Sequence, residues 1–169
     1  MELLIRPIEK KDNQRLAGII REVFREHDAP HEGTVYSDPT TDHLYELFLE
    51  PGSVLWVAVS KNEPAGCCGI YPSEGLPQDC AELVKFYLSA DARGKGIGKE
   101  LLQKCIRSAI ELGYRQLYLE SLPHFAKAIG IYEKEGFVRL NKPLGDSKHK
   151  TCSIWMLKEL AQERNRTET

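Results

Sequence analysis

Nothing in this chain of 169 residues reaches the run of roughly 18 apolar residues that would read as a membrane span. Basic charge is not in excess either. Lys and Arg number 23 against 25 Asp and Glu, a formal net charge of −2, and the pI is about 6.2. A nucleic-acid footprint would show the opposite balance. The start, Met1-Glu2-Leu3-Leu4-Ile5-Arg6-Pro7, lacks the basic opening and apolar core of a secretion signal, so the expected compartment is the cytoplasm. Cysteine is sparse and odd in number. Cys67, Cys68, Cys80, Cys105 and Cys152 sit in apolar runs and read as free buried thiols. There is no C-x-x-C and no Cys/His cluster at zinc spacing, so no metal is expected. No internal repeat and no long linker divide the sequence. The expectation is one domain over 1–160, with a charged tail at 161–169 that frays. Oligomeric state stays open, a homodimer included.

What is present alternates strand-like and helix-like patterns. Leu3 to Ile8 reads as a strand. Asp12 is placed to cap a helix whose stripe is Leu16, Ile19, Ile20, Val23 and Phe24. A polar, turn-rich stretch follows, and Asp38-Pro39 opens a short helix with Leu44, Leu47 and Phe48 inward. Val54 to Ser60 and Ala65 to Tyr71 form a hairpin, and Gly66 and Gly69 hint at a bulge or close backbone contact. Cys80 to Leu88 is a strand. The helix after it carries Leu101, Leu102, Cys105, Ile106, Ala109 and Ile110 on one face. Gln116 to Glu120 is another strand, followed by a helix bearing Phe125, Ala128, Ile129 and Tyr132. Phe137 to Leu140 and Thr151 to Leu157 are the last two strands. This order predicts a mixed α/β layer architecture with a central β-α-β unit.

The most informative segment lies inside that unit: Arg93-Gly94-Lys95-Gly96-Ile97-Gly98. Glycine lets backbone approach a ligand closely, and a helix that starts there offers N–H groups with no partner in the chain. With the helix dipole, these make a site for phosphate. It is not a P-loop, because only three residues separate Gly94 from Gly98 and Glu100 stands where a magnesium-binding hydroxyl would be needed. Nor does Gly-x-Gly-x-Gly match the dinucleotide fingerprint. The basic residues Arg93, Lys95 and Lys99 suit a pyrophosphate.

Arg93, Gly96 and Gly98 match a third pattern, Arg/Gln-x-x-Gly-x-Gly/Ala. From Val84 through Leu102 the chain resembles the coenzyme A segment of the GNAT superfamily of N-acetyltransferases. Ala128-Ile129-Gly130-Ile131-Tyr132-Glu133-Lys134-Glu135-Gly136-Phe137 resembles that family's second motif. The element order fits from Leu3 to Leu157. The resemblance implies a GNAT-type α/β fold: a mixed, mostly antiparallel central sheet, a splayed parallel strand pair, and helices on both faces.

It also implies a chemistry. Acetyl-CoA would lie between Cys80–Leu88 and Gln116–Glu120. Its pantetheine arm would meet backbone at Phe86, Tyr87 and Leu88, and its pyrophosphate would meet the segment Arg93, Gly94, Lys95, Gly96, Ile97, Gly98 and Lys99. The consecutive bulk of Phe86, Tyr87 and Leu88 suits the bulge that a splayed strand needs, and suits a fully buried strand as well. The implied reaction is direct attack of a primary amine on the thioester. Glu82 is the implied base. Alternation would put it on the face of Val84 and Phe86. A strand-end glutamate in water or paired with Lys85 or an arginine is the structural alternative, and Glu120 is the alternative base. Tyr132 is the implied acid for the leaving thiolate, against a core tyrosine with a satisfied hydroxyl. Relatives often carry Asn where this chain has Phe125, so Phe125 is not read as a cofactor residue. A cysteine nucleophile is not expected, since direct transfer needs no acyl-enzyme.

In the family, the acceptor site is built by segments that correspond here to His27–Thr41 and Asn141–Lys150. His31, Glu32, Tyr36, Asp38 and His149 are the residues there suited to a small polar substrate, though both segments also read as surface loops. The expected acceptor is a small-molecule amine or amino acid. Two alternatives remain: a protein or peptide N-acetyltransferase, and a non-catalytic acyl-CoA-binding module.

Overall fold

The computed structural model describes residues 3–145 and 151–161. Seven strands form one sheet: β1 Leu3–Pro7, β2 Val54–Ser60, β3 Glu63–Tyr71, β4 Cys80–Leu88, β5 Gln116–Ser121, β6 Val138–Arg139 and β7 Ile154–Glu159. Their spatial order is β1-β2-β3-β4-β5-β7-β6. All neighbours run antiparallel except β4 and β5. The helices are α1 Asn13–Glu26, α2 Leu44–Leu47, α3 Ile97–Glu111 and α4 Ala126–Lys134.

Strand alternation sends apolar side chains to both faces, and each face acquires its own core. On one, the α1 stripe of Leu16, Ile19, Ile20, Val23 and Phe24 packs with Leu55, Val57 and Cys67. On the other, Leu101, Leu102, Cys105 and Ala109 of α3 pack with Ala58, Cys68, Leu83, Leu117 and Met156, and Ile129 and Tyr132 of α4 join them. The β2–β3 hairpin turns on Lys61 and Asn62, both at positive φ (53° and 64°), as a tight two-residue connection demands.

Two irregularities make the site. In the first, Cys67 pairs with Tyr87 and Gly69 with Val84, so Lys85 and Phe86 of β4 face the single residue Cys68 of β3. Lys85 sits at φ 59° in this bulge. Beside it β3 and β4 approach so closely that a Cβ on Gly66 would lie 2.6 Å from the Tyr87 carbonyl oxygen. In the second, β4 and β5 pair only at Cys80–Gln116, Ala81–Leu117 and Glu82–Tyr118. Beyond Glu82 the two strands part, and a wedge opens toward the start of α3.

Several elements differ from the sequence expectation. Asp12 does not cap α1 with its side chain. It is buried, accepts two hydrogen bonds from Arg6 (2.7 and 3.0 Å) and one from the Glu9 amide (2.8 Å). A guanidinium is the stronger partner for a carboxylate out of water. Phe86 does not share a face with Val84: the extra residue at the bulge turns Phe86 toward the α3 side, while Val84 packs on the α1 side. Phe125 precedes α4 rather than joining its stripe, and its ring meets Phe24 edge-on at 5.3 Å. Strand β6 is two residues long, because Phe137 is buried in the core and not extended along β7. Strand β7 begins at Ile154, three residues after the expected start. Of the expected tail 161–169, residues 162–169 lie outside the described residues.

Candidate active site

The wedge leads into a cavity of about 940 Å³ that runs from the mouth of α3 to the space under α1. At the α3 end, Gly94 and Gly96 have φ 75° and 80°, and among the described residues nothing but their chain neighbours lies within 4 Å of where their side chains would begin. The first backbone bond entering the helix runs from the Glu100 amide to the Gly96 carbonyl, 3.2 Å. Among the described residues, the amides from Gly94 through Lys99 have no acceptor in the protein. They form an open array of donors on a helix N-terminus, suited to an anionic group.

The basic residues of this loop divide. Lys99 borders the cavity; Lys95 is exposed and lies outside its wall. Arg93 lines the cavity, yet its guanidinium is engaged with the Glu26 carboxylate of α1 (2.6 Å) and the Leu88 carbonyl (3.1 Å). It ties the end of α1 to the end of β4. Phe86, Tyr87 and Leu88 line the wedge, as do Ile97 and Gly98. Gly98 presses against Phe86 and Leu88, which a Cβ would meet at 3.1 and 3.2 Å.

Tyr132 reaches the same cavity from α4, its ring 5.6 Å from Phe86 and 5.9 Å from Phe137. Among the described residues its hydroxyl has no hydrogen-bond partner. The Tyr132 ring packs in the core of the α3 face. Burial, reinforced by Cys68, Tyr87 and Cys105, pushes the Tyr132 phenol well above its usual range, so it stays protonated.

Glu82 stands on the last rung shared by β4 and β5. Burial raises its carboxyl to about 7; the Ser73 hydroxyl (2.5 Å) and Lys85 pull downward, and Glu120 pushes upward. A carboxyl poised there is half ionised at neutral pH and can accept a proton. The ion pair with Lys85 or an arginine weighed as the alternative does not form among the described residues. Glu120 also lines the cavity, and accepts a 2.7 Å hydrogen bond from Tyr118, whose hydroxyl accepts in turn from the Leu144 amide at 3.3 Å.

Burial holds the thiols of Cys67, Cys68, Cys80 and Cys152 protonated. Burial raises Cys80 to about 11, and raises Cys152 to about 12 with help from Glu120 and Glu82. Cys152 is the cysteine that borders the cavity.

Of the residues that the family resemblance assigns to an acceptor, Asp38 lines the cavity and His31, Glu32 and Tyr36 do not. His31 and Tyr36 stack on each other at 3.6 Å, and the Glu32 carbonyl accepts from Thr151. His149 lies outside the described residues. The wall is instead made by Val23, Phe24, His27, Thr34 and Phe125, with Lys85 at the bulge. Sequence reasoning did not single out Lys85 as a site residue. The available signal was a lone cation among Leu83, Val84, Phe86 and Tyr87.

A family model, the Acetyltransferase (GNAT) family, matches residues 16–137. The chain is 35% identical over 158 residues to the uncharacterized N-acetyltransferase YjgM of Escherichia coli (strain K12), covering 93% of this chain and 95% of that protein. A solved acetyltransferase of the GNAT family from Staphylococcus aureus MU50 superposes with a TM-score of 0.82 at 20% identity, over 95% of this chain and 100% of that one. yncA of Salmonella typhimurium, solved with its cofactor acetyl-CoA, superposes with a TM-score of 0.76 at 17% identity, covering 100% of both chains.

Proposed function

The chain belongs to the GNAT acetyltransferase family, and from that premise we propose that it moves the acetyl group of acetyl-CoA directly onto a primary amine of a small molecule or amino acid. The reading is carried by one observation: Glu82, whose carboxyl burial raises to about 7, and Tyr132, whose protonated phenol has no hydrogen-bond partner among the described residues, line the same cavity.

The donor supplies its acyl group already activated as a thioester. The amides of Gly94 through Lys99, without an acceptor among the described residues, suit its diphosphate, with Lys99 beside them. The edge of β4 beyond Glu82, at Phe86, Tyr87 and Leu88, faces the gap left by β5 and offers backbone to a strand-like pantetheine arm. Arg93 acts mainly by holding Leu88 and α1 in place. No metal is required.

The acceptor must lose a proton before it can attack. For an amine of pKa about 10.4, neutralisation at pH 7 costs roughly 4–5 kcal/mol. Glu82 takes that proton, directly or through water, and burial has tuned it for the task. Tyr132 gives its proton to the departing sulfur. Glu120 lies near Glu82 and supports a raised pKa there.

The test is release of free coenzyme A thiol from acetyl-CoA, followed across a panel of primary amines. Acetylation of at least one small amine, with product identified by mass, is expected. Tight coenzyme A binding with no turnover on any amine would overturn the reading in favour of a non-catalytic module.

A further inference from the structure

Lys85 is an unusual residue for this cavity. Only 8% of it is exposed, and it occupies the bulge of β4 at φ 59°. Among the described residues its ammonium makes no hydrogen bond and has no carboxylate within 4.0 Å. No polar side-chain atom sealed from solvent among those residues lacks a partner. The unpartnered nitrogen therefore looks into the cavity that Lys85 lines. A cation held in low dielectric without a counter-ion is unfavourable unless something brings one.

Its surroundings narrow what that counter-ion is. Burial pulls the Lys85 ammonium below its usual range, and the charges of Asp38 and Glu82 oppose that pull, as would a bound anion; the Cys67 thiol lies against the Lys85 carbonyl at 3.1 Å. Two neighbouring acids disfavour a doubly charged anion, and a single ammonium offers one positive charge where a phosphate dianion carries two negative ones. A carboxylate fits both conditions. Glu82, meanwhile, is the group suited to an ammonium. Three residue steps of extended strand span the two, about 10 Å, and the bulge shortens that. A compact amino carboxylate with a hydrogen bond of about 3 Å at each end is of that size. Phe24, Leu122 and Phe125 leave an apolar wall for the remainder.

We infer that Lys85 binds the acceptor's carboxylate, so that the acceptor is an amino acid held with its amine toward Glu82 and its carboxylate on Lys85. The inference rests on the acetyl-transfer reading above and adds the substrate class. Lys85 is then a specificity-determining residue.

The experiment compares each of the twenty L-amino acids with its own carboxamide, which keeps the amine and side chain and loses the negative charge. The carboxamide's amine is the less basic of the two, so easier deprotonation works against the acid. The expected result is a kcat/KM at least about 20-fold higher for the best acid than for its amide. In Lys85→Met the ratio falls below about threefold, with the loss in KM for the acid, and Lys85→Arg restores part of it. The wild-type comparison stands even where a variant fails to fold. Equal turnover of acid and amide, turnover confined to amines without a carboxylate, or an unchanged ratio in Lys85→Met would each overturn the inference and leave acetyl transfer intact. Absence of thiol release with both series, in protein that binds coenzyme A, would remove the transfer reading and this one with it.

Discussion

The Ser73 hydroxyl donates a 2.5 Å hydrogen bond to Glu82, across the loop that joins β3 to β4. That bond favours the ionised carboxylate and restrains a pKa that burial has already raised to about 7. Removing it in Ser73→Ala leaves burial less opposed, so the pKa climbs further. The acid limb of the kcat/KM profile is expected to move to higher pH by about half to one unit. A limb that stays in place would show that Glu82 is not the titrating base.

Replacing the carboxyl itself is the stronger intervention. Glu82→Gln keeps the shape but cannot accept a proton. Loss of kcat/KM by about 100-fold or more is expected, together with loss of the acid limb near pH 7. Should Glu120→Gln erase that limb and Glu82→Gln spare it, the two roles are exchanged.

Tyr132→Phe removes an oxygen that has no partner among the described residues. No buried group is orphaned by the change, so thermal stability should hold within a degree or two. Turnover is expected to fall about tenfold or more, with acetyl-CoA affinity almost intact. Calorimetry and steady-state rates on the same preparation separate the two effects, and an unaltered kcat would dismiss the acid role.

Gly96 stands at φ 80° with open space around it. A valine there suffers from backbone conformation and not from crowding, with strain of about 1–2 kcal/mol. It also turns the amides away from a common focus. Titration with coenzyme A should show binding weaker by about tenfold or more. Unchanged affinity would remove the α3 mouth from the donor site.

Asp12 supports the fold from a distance. Burial acts to raise its pKa, but the bonds from Arg6 and from the Glu9 amide outweigh that, and the folded value lies below the usual one. A depressed carboxylate stabilises the protein fully above its unfolded pKa of about 3.9, and that contribution is lost as pH falls through the lower folded value. Asp12→Ala should cost about 3 kcal/mol at pH 7, since it removes the buried carboxylate that takes two bonds from Arg6 and leaves that guanidinium only the longer contact to Glu9 at 3.6 Å and the Pro7 carbonyl. Denaturant melts of both proteins should converge as the solution is acidified.

Periodicity and glycine made much of this molecule legible. The α1 stripe is evenly spaced, and each of its five residues is buried where the pattern requires. Gly66 and Gly69 flagged the tight β3 side of the bulge, and the three-residue rung of β4 against β5 lies inside the expected strands. What stayed hidden depended on contacts distant in sequence or on conformations with no compositional mark. The positive φ of the bulge falls on Lys85, a residue type that does not advertise it. Nothing local says that Asp12 prefers Arg6 to the helix amides, or that Phe125 turns toward Phe24. Of the acceptor wall, Asp38 was legible because a cap and a first-turn proline mark it, and its side chain does accept from the Thr40 amide. His31 and Tyr36 satisfy one another by stacking, a pairing that composition alone does not reveal.

A seam between β4 and β5 that closes for three rungs and then opens leaves the sheet unfinished through its middle. A donor arm bound along that gap, as proposed above, would serve as an eighth strand in all but covalent continuity. Heat resistance should therefore follow how much of that molecule is at hand, climbing with the logarithm of its concentration. A cell rich in the donor would hold a sturdier enzyme than a starved one.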